Sequence, residues 1–375
     1  MNIERTNWRL IILLYCCGLL AAWQFAKIAL SLKDLSEFYA GYPAPFLVSG
    51  VSFAGIIFGA TAGVVIARVG ARLALLSALI IAAGLTAMQA TLPSYPAMMG
   101  LRLLEGAAHL AIVVAGPTLM AASAVGKDIP VAMGLWGTFF GVGFALAALA
   151  FPVFGSPKEI LWWNAAAFLV LAAALYPSLP RAEKESGDSQ SFVSRHLAIY
   201  RNPSLVAPAI GFFAHTLVFL GLLTFLPGLL GEWTGPVLPL IALVGTFGAG
   251  ILARRISPRS ITLISFFVSV LGMGAALLLP DVFAIWLVLP LMGIIGLVPG
   301  AAFANVPYLN ADSSDQALAN GAIAQLGNVG TAVSVPLFAL ALNGGFAGIG
   351  VIFMVISAAG LGGVWLIHRK ITDPA

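Results

Sequence analysis

The sequence predicts an all-α integral membrane protein whose twelve transmembrane helices form two six-helix parallel repeats. Three observations carry that expectation. The 375 residues are 61% hydrophobic and only 9% charged, whereas about a quarter of a soluble domain is charged. Apolar runs long enough to span a bilayer, about 20 residues each, recur along the chain. The second half repeats features of the first at a nearly constant offset.

Taken in order, the twelve segments run over roughly 8–32, 44–66, 73–92, 96–124, 130–154, 160–178, 204–230, 236–253, 259–279, 282–308, 316–341 and 345–367. Segment 1 follows Arg5 and Arg9 and has the outline of a signal peptide. Its apolar character continues past an h-region of about 15 residues with no small-residue cleavage site, so it is read as the first span. With the N-terminus in the cytoplasm, fourteen of the eighteen Lys and Arg residues fall inside, among them Arg68, Arg72, Arg254, Arg255, Arg259, Lys127 and Lys184. Only Lys33 and Lys158 fall outside. The positive-inside rule then places both termini in the cytoplasm, as in a multi-pass protein of a bacterial inner membrane. Trp8, Trp162, Trp163 and Trp233 sit near segment ends, where interfacial aromatic belts form. Cys16 and Cys17 are adjacent in an apolar run and read as small buried hydrophobes, with no metal or redox motif.

The longest polar stretch, residues 181–203, separates a six-segment half at 1–180 from another at 204–375. It reads as a cytoplasmic linker that lets the halves move, or alternatively as a partner-binding segment. Gly63, Arg68, Gly70 and Arg72 in "GVVIARVGAR" face Gly250, Arg255, Ser257 and Arg259 at an offset of 187. Gly106, Pro117 and Gly137 face Gly296, Pro307 and Gly327 at an offset of 190. Two parallel repeats about an axis along the membrane normal describe one architecture of secondary transporters.

These motifs resemble those of the major facilitator superfamily over nearly the whole chain. "GVVIARVGAR" is similar to the family signature G-x-x-x-D-R-x-G-R-[RK] between helices 2 and 3: Gly63, Arg68, Gly70 and Arg72 match, while Ala67 and Ala71 replace an acidic and a basic position. The resemblance implies that Gly63, Arg68, Gly70, Arg72, Arg255 and Arg259 serve conformational gating, with a latch weakened or replaced where the acid is missing. "RLLEGAAH" resembles the helix 4 signature R-x-x-x-G, and "GLWGTFFGVGFA" the Gly-rich motif of helix 5, without its G-P pair. "MGLW" at 133–136 resembles the cyanate and nitroimidazole transporter branch.

Segment 4 contains Arg102, Glu105 and His109 in hydrocarbon-like surroundings. At 3.6 residues per turn they fall within an arc of about 60° on one helix face. Ionisable groups in a membrane segment are costly and usually functional. The plainer alternative is a self-neutralising Arg102–Glu105 pair that holds helices together. By resemblance, segments 1, 4, 7 and 10 line a central cavity. They offer Gln24 and Lys27, the segment 4 stripe, His215, and Pro299, Gly300 and Asn305; segment 11 adds Gln325 and Asn328. Lys27 either faces the cavity or snorkels outward; His215 is either a site residue or a packing group; Gln325 and Asn328 are either ligands or interhelical glue. "GLVPGAAFANVP" is expected not to form a straight helix, because each proline removes an intrahelical hydrogen bond and invites a kink.

Substrate binding is therefore expected at Arg102, Gln24, Lys27, His215, Asn305, Gln325 and Asn328, and proton coupling at Glu105 and His109. The expected function is secondary active transport of a small polar or anionic organic solute by a monomer in the bilayer, with protons as the coupling ion. A drug or metabolite exporter, or a non-transporting sensor or assembly protein, are the alternatives. No catalytic motif points to an enzyme. No Gly-rich phosphate loop, metal set or cofactor motif is present, and no basic run is dense enough for nucleic acid.

Overall fold

A computed structural model describes residues 5–125, 128–179 and 192–371, and their regular structure is helical. Lys127 and the linker residues 181–191, including Lys184, lie outside the described residues. The helices are α1 (Trp8–Ala29), α2 (Leu32–Phe38), α3 (Pro45–Ser49), α4 (Phe53–Phe58), α5 (Ala62–Val69), α6 (Ala71–Gln89), α7 (Tyr95–Ala122), α8 (Asp128–Gly137), α9 (Phe139–Ala150), α10 (Pro157–Leu175), α11 (Phe192–Arg201), α12 (Pro203–Leu230), α13 (Thr234–Leu252), α14 (Pro258–Ala276), α15 (Asp281–Leu309), α16 (Ser313–Ala341) and α17 (Gly345–His368).

Their starts follow local chemistry. Asn7, Ser156, Asn202 and Ser257 each accept a backbone N–H of the following first turn through a side-chain oxygen, and proline follows at once in the last three, where its missing N–H costs nothing. Gly70, at φ +93°, turns the chain between α5 and α6, a conformation that strains any residue with a Cβ.

Among the described residues, nine stretches are long and apolar enough to cross a bilayer, or ten if the bent pair Val131–Gly137 and Phe139–Val153 is one span. The last of the nine, Asp315–His368, holds both α16 and α17, which a 3-10 turn separates. A twelve-span protein is consistent with this pattern, the twelfth being the interrupted run from α3 to α5.

Segments 2 and 5 are interrupted where the sequence reads as continuous, segment 5 by the bend of 49° between Gly137 and Phe139. Segment 2 is broken rather than continuous: a 3-10 turn at Gly50–Ser52 separates α3 from α4, and residues 59–61 separate α4 from α5. Gly50, Gly55, Gly59 and nearby Ser and Thr residues weaken the helix there. Segment 10, expected to be kinked by its prolines, runs as the single helix α15, with Pro290, Pro299 and Pro307 inside it. Neighbouring side chains in a bundle re-satisfy the carbonyls that prolines free. Pro299 frees the carbonyl of Ile295, and His215 Nδ1 donates to that oxygen at 3.1 Å.

Contacts divide the chain into two compact units, Met1–Ala54 with Thr61–Ser189, and Gly55–Ala60 with Gln190–Ala375. The core of the first joins α1, α6, α7 and α10 through side chains such as Ile11, Leu14, Leu75, Leu79, Ile112 and Phe168. In the second, α12 packs along α16, α17 and α15, and α13 and α14 pack on α15. The linker's α11 joins that unit: Ile199 is fully buried, and the Tyr200 hydroxyl donates to Gln325 Oε1 at 2.9 Å. The repeat extends to packing. A methyl group at Gly106 would collide with the carbonyl oxygen of Val51, and one at Gly296 with that of Ala242.

Candidate functional site

The polar stripe of segment 4 is the centre of a buried network in the first unit. Glu105 sits on α7 with both carboxylate oxygens engaged. Lys27 of α1 donates to Oε1 at 2.6 Å, and Thr86 of α6 donates to the same oxygen at 3.4 Å. Gln89, one turn along α6 from Thr86, donates to Oε2 at 2.7 Å, and Arg102 Nη1 pairs with the same oxygen. Helix spacing makes this possible, because Arg102 and Glu105, like Thr86 and Gln89, are three residues apart and share a face.

Arg102 also ties the network to the backbone. Its Nε donates to Leu47 O at 2.8 Å and its Nη2 to Gln24 O at 2.8 Å. The break in segment 2 serves this contact. The turn at Gly50–Ser52 lies so close to α7 that a Cβ on Gly50 would meet Arg102 Cβ at 2.8 Å. Gly106 makes the same approach possible from the α7 side.

Lys27 divides its donors between Glu105 and Thr86, whose Oγ1 it reaches at 2.8 Å. His109 Nδ1 donates to Gln24 Oε1 at 2.8 Å, and its ring meets Phe25 edge-on at 5.2 Å. Gln24, Lys27, Thr86, Gln89, Arg102 and Glu105 are all fully buried, and His109 nearly so. Within this unit the structure therefore brings together Gln24, Lys27, Arg102, Glu105 and His109. Lys27 does not snorkel outward. Arg102 and Glu105 do pair, but the pair is one part of a network with two cations and one carboxylate.

Two atoms of the network have no partner: Gln24 Nε2 and Gln89 Oε1. Buried polar atoms in native structures are nearly always paired, so such orphans need an explanation. Donors are also in surplus. Lys27 has acceptors for two of its three N–H groups and Arg102 for three of its five. Around Lys27 and Arg102, donors outnumber the acceptors present.

In the second unit each expected site residue has a local partner. His215 of α12 holds the carbonyl freed by Pro299 and stacks on Phe219 at 5.0 Å. Asn305 Nδ2 of α15 donates to His368 Nε2 of α17 at 3.1 Å. Gln325 Nε2 of α16 donates to Ile56 O at 2.7 Å and to His196 at 3.1 Å, while Asn328 donates to Ala324 O of its own helix at 2.8 Å.

The expected gating residues are spread over three places. Arg72 donates to Leu179 O and, at 2.9 Å, to Tyr176 O, and lies over the Tyr176 ring at 5.4 Å, so it caps the end of α10. Arg68 and Arg255 are exposed, Arg259 is half-buried, and Gly63 lies within α5.

Sequence reasoning missed Thr86, Gln89 and the Leu47 carbonyl. Thr86 and Gln89 carry the pattern that singled out segment 4, two polar residues three apart in an apolar run. They went unweighed because segment 3 is not among the segments expected to line a cavity.

Comparison with known proteins agrees with the architecture. A family model described as Major Facilitator Superfamily matches residues 11–335. No curated protein sequence matches significantly. Among solved structures, a bacterial homolog of the human lysosomal transporter Spinster superimposes with a TM-score of 0.75 in its inward-facing, occupied conformation and 0.72 in its inward-facing, unoccupied one. Identity is 13% in both, over 100% of each chain. At that identity the likeness is one of fold.

Proposed function

We propose that this chain, which belongs to the major facilitator superfamily and is a membrane transporter, moves a small organic anion by alternating access coupled to protons. One observation supports that reading above others. The fully buried cluster of Lys27, Arg102 and Glu105 holds two cations against one carboxylate, with the unpartnered Gln24 amide beside it. Removing an ion from water costs several kcal/mol unless it is paired. A bound carboxylate would supply the missing negative charge and accept from Gln24 Nε2, Lys27 and the free Arg102 N–H groups, with the guanidinium fork fixing its orientation.

A lipophilic cation would meet repulsion in the same place, which disfavours the drug-exporter alternative. Glu105 acts as the internal counter-ion of the cluster, bridging Lys27 and Arg102. Candidate solutes are screened by thermal stabilisation of the purified protein, because a ligand of the native state raises Tm by mass action. Organic anions are expected to raise Tm, organic cations are not, and Arg102→Lys removes the shift. Stabilisation by cations alone, or an anion response unaltered in Arg102→Lys, refutes the reading.

A further inference from the structure

We propose that Lys27 Nζ carries the coupled proton, so that the cargo is a monoanion taken up with one proton and the loaded and empty clusters are both electrically neutral. The inference rests on the anion-binding reading above and assigns the coupling group within it.

Glu105 is the residue that the sequence offers as proton carrier, but the structure gives it no room for a proton. Each of its oxygens already accepts from two donors, Lys27 and Thr86 on one side, Arg102 and Gln89 on the other. A proton on either oxygen would point at a donor. Arg102 stays charged throughout, since guanidinium does not deprotonate in proteins. Lysine is the cation whose protonation responds to burial and to neighbouring charge.

Among the described residues, the charged or titratable groups linked to Lys27 lie on few elements. In the network these are Arg102, Glu105 and His109 of α7, beside the neutral Thr86 and Gln89 of α6; the ionisable residues of α2, Lys33, Asp34 and Glu37, are exposed. The α9 helix, α3 and the Gly50–Ser52 turn contain no ionisable residue.

Counting charge then gives the coupling. With Lys27 as the free amine, Arg102 and Glu105 cancel and the empty site is neutral. With Lys27 protonated and one anion bound, two cations face two anions and the site is neutral again. Proton alone leaves an uncompensated cation in the membrane interior, and anion alone an uncompensated carboxylate. Either costs several kcal/mol. Only the empty and doubly loaded forms cross at low cost, so proton and anion move together. The proton enters from water onto the Nζ lone pair and leaves to water on the other side.

The test is calorimetric titration of purified, full-length protein with acetate, lactate and benzoate at mildly alkaline pH. Each titration is run in two buffers of different ionisation enthalpy, so that protons taken up per anion bound are read directly. Wild type is expected to take up about one proton per anion. Lys27→Arg, permanently charged, is expected to bind with no uptake, and Lys27→Gln, a neutral stand-in for the amine, to lose binding while its far-ultraviolet spectrum and Tm stay near wild type. Proton uptake that persists in Lys27→Arg overturns the assignment, as does binding to wild type without uptake. Uptake lost instead in His109→Gln moves the proton to the imidazole. Failure of wild type to bind any of the three anions overturns the anion reading itself, and this inference with it.

Discussion

Replacing Glu105 by glutamine is expected to cost far more stability than replacing Lys27 by glutamine, and the difference can be worked from the hydrogen bonds. Glu105 receives four donors. A glutamine amide has one acceptor oxygen, which can serve only one of the two donor pairs, and its NH2 must face the other. Two hydrogen bonds to a charged group are lost at about 1.5 to 3 kcal/mol each, or about 3 to 6 kcal/mol together. That range brackets the cost of breaking a buried ion pair by removing one partner, about 3 to 5 kcal/mol. The remaining Lys27 and Arg102 would also face each other without an anion between them.

Lys27→Gln works in the opposite direction. It removes one charged hydrogen bond to Glu105, yet leaves Arg102 and Glu105 balanced, so its cost stays at or below about 2 kcal/mol. The double variant removes both partners of the Lys27–Glu105 bond, so their losses are not additive, and a coupling energy of about 2 kcal/mol is expected, within the range for residues in one network. Equilibrium unfolding of purified protein in mixed micelles measures all four corners of the cycle. Equal losses for the two single variants, or a double variant whose loss is the sum of both, would show that the network is not organised around the Glu105 carboxylate.

Three further outcomes are expected. Gly106→Ala places a methyl against the Val51 carbonyl, which is backbone and cannot rotate away; overpacking costs about 1 to 3 kcal/mol, and displacing the Gly50–Ser52 turn should also abolish the anion-dependent Tm shift. Arg72→Ala uncaps α10 at Tyr176 and Leu179, with a loss of about 1 to 2 kcal/mol in the same unfolding assay, and Arg72→Lys recovers little of it for want of the fork. Single cysteines at the exposed positions Ser94 and Gly344 should react with an impermeant reagent added outside intact cells, whereas one at the exposed Arg254 should not; labelling at Arg254 would invert the topology.

Much of the frame was legible because the bilayer imposes it. Apolar length, the bias of basic residues and the glycines repeated at a fixed offset each report a constraint that acts on sequence directly. The breaks in segments 2 and 5 were harder to read. The bend of 49° in segment 5 falls at Gly137–Thr138, where Thr138 shares a 2.7 Å hydrogen bond with Tyr15 of α1, a tertiary contact that local sequence does not announce. Segment 10 stays one helix across its prolines, and the partner of the carbonyl that Pro299 frees, His215, lies some 80 residues away in the chain, where local sequence does not announce it. The Arg102–Glu105–His109 stripe was visible from helical spacing alone, but its partners on α6, Thr86 and Gln89, emerge only when helices pack.

The repeat also shows why the charge lies in one half. At the offset of 190 that aligns Gly106 with Gly296, Glu105 aligns with Ile295, and at 188 Lys27 aligns with His215. The pair Lys27–Glu105 in the first unit thus corresponds to His215 and the Ile295 carbonyl in the second, both joining the first helix of a repeat to the fourth. In the first repeat a side-chain carboxylate accepts; in the second a backbone oxygen does, made available by Pro299. The second contact needs no charge, and it satisfies a carbonyl that would otherwise be an unpaired polar group at membrane depth. The shared geometry accounts for helix packing in both halves. What it leaves over, Lys27 and Arg102 around a single carboxylate with the Gln24 and Gln89 amides incompletely paired beside them, occurs among the described residues in the first repeat, and on the reading proposed above that surplus of donors is what a ligand rather than the fold balances.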